Sequence, residues 1–312
     1  MPTFTARESE TQTLLEHVRK QRSVLVLGRG GIGKSALLDH AAGVLEVETL
    51  VLKLERVAPF ANFLRDVFNR LFDARALDAC SFLPEDALYT DLEETRKLWM
   101  KFNPNNDTKA RSLTDSLEKY AARESRAVIV IDDLTGISPT IVPWVVELEQ
   151  VCTLVCAAPF EVLSKAGTKR AWKVFEELRL EQFNPRDAST ILEGLMLEHQ
   201  IHTDDEAVYK QRVLAIAAGI PGELERLVKY HSSEPMVKSR EVAQLGQGSV
   251  DREESGIALA PILFALGAFT VAWRYIARAR GDLDAYVLSG ILVGVFMVAR
   301  LAFGRALKSC SR

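Results

Sequence analysis

Short continuous apolar runs alternate with longer stretches of helical periodicity along this chain. Ser23 to Leu27 reads as a strand with both faces buried, and Ser35 to Ala42 as the helix that follows it. A polar, helix-prone stretch from about residue 8 to 22 precedes that strand, and a second strand is expected at Val47 to Leu54. Pro59 to Tyr120 has a helical pattern, interrupted at Phe82 to Asp86 and at Asn103 to Asp107 by turn residues. Ala127 to Asp133 is a third strand, apolar until it ends in two acids, and runs of that kind mark parallel sheets covered on both faces. A fourth strand fits Thr153 to Ala157 and a short fifth lies near Leu178 to Gln182. After Asn184-Pro185 the pattern is wholly helical, over Arg186 to Gln200, Asp204 to Ala218 and Gly222 to His231. The prediction is an α/β core, a parallel sheet flanked by helices, followed by a helical lid.

The last sixty or so residues change character. Gly256 to Trp273 carries no charge, and its large apolar residues are spread around the whole helix circumference. Ala285 to Ala299 is a second such run, reaching Gly304 when Arg300 is included. At 1.5 Å per residue each spans about 30 Å of hydrocarbon if Arg300 snorkels to the interface. Together they predict two C-terminal transmembrane helices, a hairpin over 256–304 that makes membrane lipid a partner. The alternative is a buried pair in a soluble bundle. Against it, neither run shows a polar stripe, and Trp273, Arg274, Tyr275, Tyr286 and Arg305 stand at the ends. Gly290 and Gly294 form a G-x-x-x-G pattern that fits hairpin closure or self-association, and hence a homo-oligomer. The predicted organisation is a core over 1–183, a lid over 184–231, a linker over 232–255, the hairpin over 256–304 and a basic tail over 305–312.

Composition narrows the partners. The chain has 312 residues and a net charge of −3, so no basic excess points to nucleic acid. Cys80, Cys152, Cys156 and Cys310 match no zinc spacing and form no disulfide framework; Cys152 and Cys156 are placed in one strand, facing the same side. His199 and His202 read as a solvent-facing pair, and no metal site is assigned to them. The N-terminus lacks an apolar run of signal-peptide length, which predicts that the domain stays on the side where it is made.

The chemistry concentrates between the first strand and its helix. Gly28-Arg29-Gly30-Gly31-Ile32-Gly33-Lys34-Ser35 fits the phosphate-loop pattern G-x-x-x-x-G-K-[ST] in its strand-loop-helix setting. The glycines let successive N–H groups turn inward around a phosphate, and the helix N-terminus adds partial positive charge. Gly28 to Ser35 with Ala36 are therefore the expected nucleotide-binding residues, Lys34 reaching the β- and γ-phosphates and Ser35 holding Mg²⁺. Asp132, ending the third strand, would hold Mg²⁺ through water, and Asp133 stands where many such ATPases place the acid that activates water. Glutamate is usual there. Aspartate is one methylene shorter, which predicts slow hydrolysis; the competing reading is an acid pair that caps the next turn.

In these motifs the chain resembles the STAND branch of the AAA+-related ATPases, including the NB-ARC type, over about residues 4 to 231. Gly28 to Ser35 is similar to their G-x-G-G-I-G-K-[ST] loop, Val130 to Asp133 to their hydrophobic-Asp-Asp strand end, Phe4 to Glu10 to their F-x-x-R-E-x-E opening, and Gly219-Ile220-Pro221 to their G-x-P lid motif. The resemblance implies a P-loop NTPase fold, ATP or ADP with Mg²⁺ as cofactors, and Pro221 packed near the nucleotide base. A plain helix-to-helix turn explains Gly219 and Pro221 almost as well. Two departures stand out. Cys156-Ala157-Ala158-Pro159 offers no side chain to a γ-phosphate where the family has a polar sensor, and Gly222, rather than Arg, follows Pro221. Arg170, with Lys169 and Lys173, lies near where AAA+ relatives carry an arginine finger, although a solvated basic helix face explains all three.

These readings predict a membrane-anchored, nucleotide-dependent switch with slow ATP hydrolysis, its ATP-binding domain and C-terminal tail on the cytosolic or equivalent side. The expected catalytic residues are Asp133, Lys34 and Arg170. The alternatives are an oligomeric ATPase that remodels a protein complex at the membrane, which would lose turnover with Arg170, and a membrane effector triggered by ATP-dependent assembly. Each supposes a protein partner that the sequence does not name.

Overall fold

The computed structural model describes residues 7–77, 91–232 and 237. Phe4, Cys80, the interruption at 82–86, Cys310 and the linker, hairpin and tail expected after 237 lie outside the described residues, as does the whole of the second of the chain's two units, Gln244–Arg312. Among the described residues no helix is long and apolar enough to cross a membrane.

Among the described residues five parallel strands form one sheet: β1 (Ser23–Leu27), β2 (Val51–Arg56), β3 (Val128–Asp133), β4 (Thr153–Ala158) and β5 (Phe175–Arg179), in the order β2-β3-β4-β1-β5. The continuous apolar runs become central strands because both of their faces are covered. Leu25 and Leu27 of β1, Ile129 and Ile131 of β3, and Leu154 and Cys156 of β4 share one core. That core is closed by α3 (Phe60–Asp73), α5 (Asn106–Arg123) and α6 (Val142–Val151). The alternating set Val24, Val26, Val128, Val130, Val155 and Ala157 faces the other way, onto α1 (Glu8–Arg19) and α2 (Lys34–Leu45). Each of these fully buried side chains larger than alanine contributes about 1.5–3 kcal/mol relative to exposure.

Several expected boundaries move. The second strand begins at Val51, not Val47, because α2 runs on to Leu45 and turns before the chain enters the sheet. The fifth strand is Phe175–Arg179, three residues earlier than Leu178 to Gln182. It is an edge strand, mostly exposed, and lacks the apolar run that marks the others. Cys152 lies just ahead of β4, at the end of α6, where its thiol donates to the Leu148 carbonyl at 3.1 Å. Cys152 and Cys156 do share one core, and burial pushes both thiols up, out of the range in which they ionise. Among the described residues between β2 and β3 the helical stretch gives α3, α4 (Leu92–Phe102) and α5, the last starting after the Asn103-Pro104-Asn105 break with a capping box at Asn105. A 3-10 turn (Phe160–Ser164) and the short α7 (Lys169–Trp172) link β4 to β5.

After β5 come α8 (Pro185–Glu198), α9 (Glu206–Ala217) and α10 (Pro221–His231), packed round a small core of their own that includes Leu192, Tyr209, Val213 and Leu224. Pro185 and Pro221 begin α8 and α10, where a missing N–H costs nothing.

Candidate nucleotide site

The end of β1 runs straight into the glycine loop, and Gly33 (φ 97°) forms the N-cap of α2. That left-handed backbone requires glycine. No side chain caps α2 and no acid stands in its first turn, unlike α1, which opens with Glu8 and Glu10. The first N–H groups of α2 are thus open to an anion, and the helix dipole favours negative charge there.

Lys34 turns its ammonium back onto the loop and donates to the carbonyls of Gly28 and Arg29, both at 2.8 Å. Burial holds its pKa below the usual lysine value, and the negative charges of Asp132, Glu161 and Asp133 partly offset that. Ser35 is exposed on the first turn of α2. Gly31 to Ala36 line a cleft of about 500 Å³, and its opposite wall is made by α8 and α10 through Leu195, His199 and Pro221. Gly28, Arg29, Gly30, Asp132, Asp133 and Arg170 do not line that cleft. The first three form the outer arm of the loop over Lys34, Asp132 and Asp133 end β3, and Arg170 is exposed on α7.

Asp133 has a local task as well. Its Oδ1 accepts the Thr135 N–H at 2.8 Å, so the turn-capping reading describes one of its two oxygens. Beyond the expected set, the structure brings in Arg7, which is 5% exposed at the N-cap of α1. One guanidinium nitrogen donates to the carbonyls of Ile32 (3.1 Å) and Glu181 (2.8 Å), the other to Glu10 Oε1 (2.7 Å), and the plane lies 4.2 Å over the Phe183 ring. Arg7 and Phe183 also line the cleft. His199, expected to face solvent, stands on the cleft wall instead, because α8 turns that side toward the loop.

The turn into α10 is sewn to both parts. Phe183 N–H donates to the Gly219 carbonyl at 2.9 Å, and a Cβ on Gly219 (φ 76°) would stand 2.4 Å from the Phe183 carbonyl oxygen. Gly222 N–H donates to the Gly31 carbonyl at 2.8 Å, and a Cβ there would stand 2.8 Å from Gly31 Cα. The missing Arg after Pro221 therefore has a steric reason: α10 rests on the loop backbone and leaves no room for a side chain.

Residues 3–149 match the family model described as the AAA ATPase domain. Among curated proteins no sequence matches this chain. Among solved structures, the ORC1 protein of Aeropyrum pernix, determined in complex with DNA, matches with a TM-score of 0.52 at 16% identity, over 93% of this chain and 78% of that one. At that identity the likeness is one of fold. Residues 3–149 are thus similar to an AAA ATPase domain, and the chain shares the fold of the ORC1 protein.

Proposed function

We propose that this chain is an ATP-binding switch of the AAA type that hydrolyses slowly and holds its nucleotide between the phosphate loop and α8 to α10. The observation that carries the reading is the direct seat of α10 on the loop, Gly222 N–H on the Gly31 carbonyl, with Pro221 facing the same cleft. Whatever fills the cleft bears on both walls, so helix position and nucleotide state are coupled. Gly31 to Ala36 and Pro221 would hold ATP or ADP, Lys34 would leave the loop carbonyls for the phosphates, and Ser35 with Asp132 would hold Mg²⁺. Mg²⁺ held there would supply charge neutralisation to the phosphates. The free N–H groups at the α2 N-terminus and the acids near Lys34 suit that charge distribution. The STAND-like motif set favours a switch over a motor.

The uncharged runs over 256–304 support tethering to a membrane, with the ATP side cytosolic or equivalent. Arg170, exposed on α7 and away from the chain's own cleft, favours a second reading in which oligomers share sites and this residue serves a neighbour. DNA is a partner of the ORC1 protein, and the net charge of −3 here gives no basic excess to carry it over. Nucleotide content and turnover of the purified full chain test the proposal. Retained nucleotide with slow turnover is expected; many turnovers per second with none retained would overturn it.

A further inference from the structure

We propose that Glu225 accepts the ribose hydroxyls of the bound nucleotide, so that the site selects nucleotides with an intact ribose over those lacking its hydroxyls. This role rests on the nucleotide-binding reading above. The groups that line the cleft differ in what they can bind. At the loop end stand the uncapped N–H groups of α2 and Lys34, which suit phosphates. Phe183, Leu195 and Pro221 give an apolar surface suited to a base. Glu198 and Glu225 line the same cleft. An ionised carboxylate accepts hydrogen bonds and donates none, so it repels phosphate and calls for a donor. The ribose hydroxyls and the adenine amino group are the donors that the nucleotide offers.

Position along α10 assigns the ribose to Glu225. This helix lines the cleft through Pro221, Gly222, Glu225 and Lys229, a length of about 12 Å at 1.5 Å per residue. Gly222 sits on the phosphate loop itself, its N–H on the Gly31 carbonyl at 2.8 Å. Glu225 comes three residues later, about 5 Å farther from the loop along the axis. That is where a sugar follows a phosphate held at the start of α2.

The Glu225 carboxylate is also braced. Lys229 donates to its Oε1 at 2.6 Å, which restrains the side chain and offsets its charge beside a polyanion. The other oxygen accepts nothing from the described residues. Glu198 has no such brace, since it makes no hydrogen bond or ion pair with the described residues. Glu223, two residues before Glu225, pairs with Arg226 at 2.7 and 2.8 Å and does not line the cleft. Glu223 and Glu225 are thus two ion-paired acids of one helix, one outside the cleft and one on its wall.

The test is competition of ADP and dideoxy-ADP, which lacks both ribose hydroxyls, against a base-labelled fluorescent ADP on the full chain. Wild type is expected to bind ADP about 10 times more tightly than dideoxy-ADP, the lower end for a charge-assisted bond because Glu225 is half exposed. Glu225→Ala should bring that ratio within a factor of about two, and Glu225→Gln, which keeps an acceptor oxygen, should fall between. Glu223→Ala should keep the wild-type ratio. Equal affinities in wild type overturn the proposal, as does a ratio that survives Glu225→Ala or is lost equally in Glu223→Ala. If wild type binds neither compound, the nucleotide-binding reading itself fails, and this role falls with it.

Discussion

Gly222 N–H donates to the Gly31 carbonyl at 2.8 Å, so the first turn of α10 stands on the phosphate loop, backbone on backbone. A methyl group at residue 222 would stand 2.8 Å from Gly31 Cα and 2.9 Å from its carbonyl oxygen. Gly222→Ala therefore opposes this seating by about 1–3 kcal/mol. Bound fluorescent ADP should leave roughly 10–100 times faster, as measured by stopped-flow displacement. An unchanged off-rate would show that the seat does not retain nucleotide.

Arg7 joins the loop to the strand-to-lid connection through the Ile32 and Glu181 carbonyls and the Phe183 ring. Arg7→Ala strands two carbonyls and removes the ring contact, a loss of about 2–4 kcal/mol. The melting temperature should fall by about 5–10 °C. Arg7→Lys should recover little, because a single ammonium lacks the guanidinium fork. Full recovery by lysine would mean that charge alone is needed.

Asp133→Asn keeps a side-chain oxygen for the Thr135 N–H, whereas Asp133→Ala removes it. Chemical denaturation should place the Asn variant within about 0.5 kcal/mol of wild type and the Ala variant about 1 kcal/mol lower. Equal stability of the two would remove the cap from the account.

Tyr209 is fully buried beside His231, its hydroxyl 3.1 Å from Nδ1. Burial pushes its pKa up to about 12, against about 10 in an unfolded chain. Below pH 10 both states keep the proton and this stabilisation is fully present. As the pH rises toward 12 the unfolded chain releases the proton first, and stability falls. Denaturation midpoints from pH 9 to 12 should drop less steeply in Tyr209→Phe than in wild type; parallel curves would contradict the assignment.

The parts of this molecule that were legible in its sequence are those whose physics is local. The phosphate loop is a contiguous pattern, and β1, β3 and β4 announce themselves as apolar runs because helices cover both of their faces. β5 was misplaced because an edge strand reading Phe-Glu-Glu-Leu-Arg has no such run. Arg7 was visible as part of a motif, but its bonds go to main-chain carbonyls 25 and 174 residues away, for which no side chain leaves a signature. Gly222 looked like a missing arginine, and only the approach to Gly31 explains it.

Calorimetric titration of Mg-ATP into the full chain, wild type beside Lys34→Ala, tests the central claim most directly. Lys34 sits where one turn of its side chain exchanges two loop carbonyls for a phosphate. Losing a charge-assisted bond of about 1.5–3 kcal/mol predicts an affinity roughly 10–100 times weaker in the variant, with wild type binding one nucleotide per chain. Equal affinities, or no binding by wild type, would contradict it.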